Sequence, residues 1–191
     1  KPENAEQKML MECLLAPPDI APLVIVKGGA GTGKTYCALA AALHSLASYG
    51  PESIYEQILV GAPTVTIDED LGYLPGDIND KVSPYINGVQ NNLVEIFRNN
   101  GEAITAGKEK VNKKECKESV NELFDRGLIE IQAIGFLRGS SIANTFYFLD
   151  EVQNVKPEIM KDIITRLARG SKLVLAGDPT QVNTPGLNER R

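Results

Sequence analysis

The stretch LVIVKGGAGTGKT, residues 23–35, decides the fold. Its first five residues form an apolar, β-branched run too short for a helix, as buried parallel strands are. Residues 28–35, GGAGTGKT, fit the pattern G-x-x-x-x-G-K-[ST]. The following TYCALAAALHSLASYG has helix length and is closed by Gly50 and Pro51. Strand, glycine-rich turn and helix in that order are the context that makes this motif a phosphate-binding loop. The glycines let the backbone turn tightly and aim its N–H groups outward. Gly28, Gly29, Ala30, Gly31, Thr32 and Gly33 are therefore expected to wrap phosphate oxygens. The helix starting near Lys34 adds the partial positive charge of its N-terminus. Lys34 is expected to reach the β- and γ-phosphates and the Thr35 hydroxyl to bind Mg²⁺, with Tyr36 beside the nucleotide. The motif implies binding of a nucleoside triphosphate, but not the use made of it.

Outward from this unit the same alternation recurs. ILVGA (58–62), TFYFLD (145–150) and KLVLA (172–176) are further short, nearly continuous apolar runs. Between the last two, Pro157 suits the first position of a helix. Ile159, Met160, Ile163, Ile164 and Leu167 then recur at helical spacing until Gly170. Strand and helix in alternation predict an α/β fold: a mostly parallel sheet in three layers, with helices on both faces. Residues 63–100 interrupt the pattern, running from a loop rich in Gly, Pro and Asp into a helix through VQNNLVEIFRN. Residues 101–126 are charged and poor in bulky apolar groups, and their lysines are nearly matched by acids. A solvated helix or mobile insertion is expected there, within a single domain spanning 1–191.

The 191 residues suffice for one well-buried core, and 24% charged with 42% hydrophobic residues is ordinary for a soluble domain. No apolar run approaches membrane-spanning length. The chain begins at Lys1 and has no signal-peptide pattern, so a trimmed piece of a cytoplasmic protein is expected. A net charge of −5 counts against tight nucleic-acid binding by the whole surface, but not against a local basic groove. Cys13, Cys37 and Cys116 fit neither a disulfide framework nor a zinc site, and His44 lies in an Ala/Leu-rich helix. All four are read as structural.

FYFLDEVQN (146–154) ends an apolar run in two adjacent acids. Unpaired acids are costly to bury, and beside a phosphate-binding loop the partner is a metal ion. Asp150 is then expected to act on the Mg²⁺ held by phosphates and Thr35. Glu151 points elsewhere and can orient, or take a proton from, the water attacking the γ-phosphate. A small-molecule kinase has no need of that second acid, so the pair favours hydrolysis. GDPTQ (177–181) follows KLVLA at a strand's carboxyl end, where open α/β sheets place ligand contacts. Gln181 is expected to sense the γ-phosphate. Asp178 could hold the loop or a water, or the segment could be a simple Gly-Asp-Pro turn.

In this order the three motifs resemble the first RecA-like lobe of superfamily 1 helicases. LGYLPGD (71–77), DKVSPY (80–85), LRGSSIANTFYFLDEVQN (137–154) and TRLARGSKLVLAGDPTQV (165–182) are similar to the PhoH family of P-loop ATPases. The resemblance covers nearly the whole chain outside 101–126. It implies ATP binding and hydrolysis in the cytoplasm, RNA helicase roles, and in some members a fused PIN ribonuclease domain or assembly into rings. It also implies that Gln7, in NAEQKML, reads the adenine edge. Arg138 and Arg166 would contact RNA or complete a neighbour's site in a homo-oligomer, or else form surface salt bridges. Where the family carries Arg-Pro after the second strand, this chain has Ala62-Pro63, without the charge that a phosphate or RNA contact would use. It ends at NERR (188–191), about where the family continues, so a truncated or shorter protein is expected. With one such lobe, unwinding single-stranded RNA would need an oligomer or another domain. The alternative is a nucleotide-switched RNA-binding or assembly module with negligible turnover.

Overall fold

The run TFYFL (145–149) is buried along its whole length, so it must lie inside a sheet covered on both faces. The computed structural model describes residues 2–47, 54–62, 78–104, 112–134 and 141–182. Among them five strands form one sheet in the order β1-β5-β4-β2-β3, and every pair is parallel. These strands are β1 (Leu23–Lys27), β2 (Gln57–Ala62), β3 (Ile129–Ala133), β4 (Thr145–Leu149) and β5 (Lys172–Gly177). The helices are α1 (Ala5–Leu15), α2 (Lys34–Ala47), α3 (Ile78–Ile104), α4 (Lys113–Asp125) and α5 (Pro157–Arg166). The expected α/β class and parallel sheet are what the chain adopts.

Strand periodicity sorts the core into two layers. Phe146 and Phe148 of β4 join Val24, Val26, Ile58, Val60, Val174 and Ala176 on the face covered by α1 to α4. Tyr147 and Leu149 turn to the other face with Leu59, Leu173, Leu175 and Ile163 of α5. The ring of Phe146 is met edge-on by Tyr55 at 5.5 Å between centroids.

Three local readings are refined by the tertiary structure. β1 is an edge strand rather than a fully buried one. Val24 and Val26 point inward while Ile25 remains 70% exposed, because only one face of β1 is covered. IEIQA is a strand that apolar continuity does not reveal: β3 forms the opposite edge, where Glu130 stays exposed. The charged stretch at 101–126 contains α4, whose Cys116 and Val120 enter the main core. Two apolar residues one turn apart, with Leu123 and Phe124 beside them, are enough to dock an otherwise polar helix.

α5 starts at Pro157 as its sequence requires, yet ends at Arg166, before Gly170. Leu167 has extended backbone and bridges Ile142 instead of continuing the helix. α1 is closed in an unusual way. Lys172, at the start of β5, is fully buried and its Nζ donates to the carbonyls of Cys13, Leu14 and Ala16 at 2.9, 3.0 and 2.6 Å. A lysine thus ties the carboxyl end of α1, with its orphan carbonyls, to the sheet. The expected helix closure at Gly50-Pro51, the LGYLPGD segment, Pro63, Arg138 and the NERR terminus lie outside the described residues.

Candidate nucleotide-binding site

Because β1, β5 and β4 are neighbours, the loops leaving their carboxyl ends share one edge of the sheet. GGAGTGKT follows β1, Asp150 and Glu151 follow β4, and GDPTQ overlaps the end of β5. Three segments far apart in sequence therefore converge where parallel α/β sheets collect ligands.

The loop has the backbone such a site needs. Gly31 and Gly33 sit at φ +73° and +82°, where a β-carbon would be strained. The Thr32 hydroxyl donates to the Gly29 carbonyl at 2.8 Å. Lys34 leads into α2, and its Nζ donates to the carbonyls of Gly28 and Gly29 at 2.7 and 2.8 Å. The ammonium is thus folded over the loop itself, with acceptors that an incoming anion can replace.

Thr35, one residue on, donates its hydroxyl proton to Asp150 Oδ2 at 2.5 Å across the gap between α2 and β4. The other Asp150 oxygen accepts the Glu151 N–H at 2.9 Å. Asp150 is only 7% exposed, so its charge is satisfied by these two donors. The pairing brings two hard oxygen donors to one point. Mg²⁺ commonly takes few protein ligands and completes its shell with phosphates and water, so the donor set fits that ion.

Glu151 has left-handed backbone, φ 53° and ψ 35°, which is uncommon for a side chain of its size. The turn swings its carboxylate away from Asp150 and toward Gln153, whose Nε2 donates to Glu151 Oε2 at 2.6 Å. Gln153 also reaches the third loop. Its Oε1 accepts the Asp178 N–H at 3.1 Å, and Nε2 lies 3.4 Å from the Gln181 carbonyl. One amide therefore joins the second acid to the GDPTQ loop. Asp178 closes that loop by accepting from the Thr180 N–H and hydroxyl at 2.9 and 2.6 Å. Those bonds, helped by the charges of Lys34 and Lys27, hold its carboxyl below its ordinary pKa. Gln181 is exposed, and among the described residues only its backbone is engaged.

Gln7 reaches the loop from α1. Asn4 caps that helix by accepting the Gln7 N–H at 2.8 Å, while Gln7 Oε1 accepts the Glu3 N–H at 2.9 Å. This reciprocal arrangement resembles a capping box. It leaves Gln7 Nε2 to donate to the Thr32 carbonyl at 3.3 Å. Gln7 and Tyr36 line a cavity of about 440 Å³ beside Gly31 and Gly33.

Arg166 stands apart from this group. Its carbonyl accepts the Ile142 N–H, three residues before β4 begins, so it lies toward the opposite edge of the sheet. Its Nη1 is buried and has no hydrogen-bond partner among the described residues.

Residues from α3 enter that the motifs do not announce. Glu95 and Asn99 line the same cavity, and Asn99 Nδ2 donates to the Tyr36 hydroxyl at 2.9 Å. Their one-turn spacing marks a shared helix face, but nothing in VQNNLVEIFRN says what that face meets. Tyr85, also on α3, has a buried hydroxyl with no partner among the described residues. Burial first, then the charges of Asp150 and Glu151, push its phenol above the ordinary tyrosine range.

No helix among the described residues is long and apolar enough to cross a membrane. The PhoH-like protein family profile matches residues 1–190. Protein PhoH2 of Bacillus subtilis is 38% identical over 188 residues, covering 98% of this chain and 38% of that protein. A PhoH-like protein of Mycobacterium tuberculosis is 32% identical over 186 residues, 97% of this chain and 46% of its own length. One from Synechocystis is 32% identical over 158 residues, 83% of this chain and 42% of its own length. The chain thus spans less than half the length of these relatives. With a parallel α/β sheet, a phosphate-binding loop and a family match over nearly every residue, the chain belongs to the PhoH-like family.

Proposed function

We propose that this domain binds ATP with Mg²⁺ and hydrolyses it, and that turnover is coupled to RNA binding or unwinding in an oligomer or with another domain. The observation that carries the reading is the Thr35–Asp150 hydrogen bond with Glu151 beside it. The backbone N–H groups of residues 28–33 and the Lys34 ammonium take the phosphates. Lys34 exchanges its two carbonyl partners for β- and γ-phosphate oxygens. Thr35 and Asp150 would hold Mg²⁺, which when bound neutralises charge developing on the phosphates. Glu151, turned away from the metal pair, takes the proton of the attacking water. Gln153 carries the position of Glu151 to the loop holding Gln181, which senses the γ-phosphate. Gln7 reads the adenine edge.

Translocation on single-stranded RNA needs a site between two RecA-like surfaces, and one lobe supplies half of it. A homo-oligomer, such as a ring, or a second domain completes the site. Arg138 and Arg166 are the candidates for a contact across that boundary or to RNA. Arg166, beside Ile142 at the amino end of β4 rather than at the loop, would make such a contact in trans. We place the protein in the cytoplasm and read 1–191 as a single domain, within which α4 is built into the core.

A second reading, a nucleotide-switched RNA-binding or assembly module with negligible turnover, is favoured by the 2.6 Å bond that engages the Glu151 carboxylate. Steady-state ATP turnover with and without single-stranded RNA separates the two. Glu151→Gln is expected to keep ATP affinity and lower turnover by at least about a hundredfold, the scale of general-base effects. Equal turnover in both proteins would sink the hydrolytic assignment. Stimulation by RNA would support the motor, and its absence the module.

A further inference from the structure

The cavity beside the loop is bounded by Gln7 and Tyr36, which the sequence motifs point to, and by residues of α3, which they do not. Gln7 and Met11 of α1 form one side, Tyr36 and Cys37 of α2 the floor, and Glu95 and Asn99 of α3 the far side. Its volume of about 440 Å³ is within the range of small-ligand sites. Met11 and Cys37 supply apolar contact, as the flat faces of a base need. Gly31 and Gly33 belong to the same lining, so a ligand anchored by its phosphates has this cavity next to it.

The polar groups on α3 are unequal. Asn99 donates from Nδ2 to the Tyr36 hydroxyl at 2.9 Å, which ties that ring to α3. Glu95 Oε1 accepts from Arg98 at 2.6 Å and lies 3.5 Å from Asn99 Nδ2. Glu95 Oε2 has no partner among the described residues. An ionised carboxylate only accepts hydrogen bonds. It therefore favours a base edge that carries an amine and repels one that carries a carbonyl.

We propose that α3 selects the base: Asn99 pins Tyr36 as a wall of a purine seat, and Glu95 accepts from the exocyclic amine, favouring 6-aminopurine over 6-oxopurine triphosphates. This rests on the nucleotide reading above. Glu95 is then a specificity-determining residue, and Asn99 a positioning residue acting through Tyr36.

The test is equilibrium binding of ATP, ITP and inorganic tripolyphosphate to the whole 191-residue chain and its variants. The unmodified protein should prefer ATP over ITP by about tenfold or more, the scale of one hydrogen bond to a charged group. Glu95→Gln offers an amide that accepts from an amine or donates to a carbonyl, so the ratio should fall below about threefold. Tripolyphosphate affinity should not change. Tyr36→Phe should weaken ATP and ITP equally, because it removes the bond to Asn99 and leaves Glu95 in place. An unchanged ATP/ITP ratio in Glu95→Gln, with ATP still bound, overturns the inference alone. Weaker tripolyphosphate binding in that variant would mark a general structural effect and also overturn it. If neither ATP nor tripolyphosphate binds the unmodified protein, the nucleotide reading itself falls, and the inference with it.

Discussion

Replacing Lys172 with methionine should loosen α1 and remove part of the domain's response to pH. The side chain is fully buried and its three carbonyl partners lie within 3.0 Å. Methionine matches the lysine stem out to Cε and offers no donor. The carbonyls of Cys13, Leu14 and Ala16 then lose the group that satisfies the end of the helix. At about 1 kcal/mol for each net hydrogen bond, the loss is about 3 kcal/mol. Relief of burying an ammonium offsets part of it, so the net cost at pH 7 should be about 2 kcal/mol. That relief has its own signature. Burial pulls the Lys172 ammonium down to about 8 from an ordinary value of 10.5. Between these values the unfolded chain holds a proton that the folded chain has released. Stability therefore rises with pH across this window and is lost as pH falls through about 8. Equilibrium urea unfolding of both proteins at pH 7.0 and at about pH 9.5 tests this: the gap between them should widen at the higher pH. A variant as stable as the parent at both values, or a gap that does not move, would refute the reasoning. Because α1 also carries Gln7 to the loop, weakened ATP binding should accompany the loss.

Two further substitutions test the joints of the site. Gln153→Ala removes the bonds to Glu151 and to the Asp178 N–H. It should lower ATP turnover about tenfold with little change in KM, read by steady-state kinetics, because the group positions the acid rather than the substrate. Gly61→Ala drives a β-carbon into Leu149 Cδ2 and to 3.1 Å from the Tyr147 hydroxyl, both in the buried central strand. Overpacking there should cost about 2 kcal/mol or more in a chemical-denaturation midpoint. It should also disturb Asp150, the next residue after Leu149.

The chain announces the parts of this protein whose information is local. A glycine-rich turn between an apolar strand and a helix is dictated by backbone freedom and helix polarity. LVIVKGGAGTGKT, TFYFLDE and KLVLAGDPTQ were therefore legible as strands running into loops. The parallel α/β class followed from their alternation. What depended on neighbours in space was not legible. IEIQA pairs as an edge strand because β2 offers it a ladder, not because its own pattern demands one. α4 is docked by Cys116 and Val120 against a core that its charged composition hides. The motifs named Asp150 and Glu151, but the Gln153 amide that joins Glu151 to the next loop finds its second partner only because β5 lies beside β4. Glu95, Asn99 and the lysine beneath α1 carry no local signal at all, since a side chain's partner across 63 or 158 residues is set only when the helices pack. Local backbone chemistry thus determined the phosphate-binding loop and the sheet that presents it. The walls around that loop were decided by tertiary packing, because hydrogen bonds between distant segments exist only once the hydrophobic layers have brought them together.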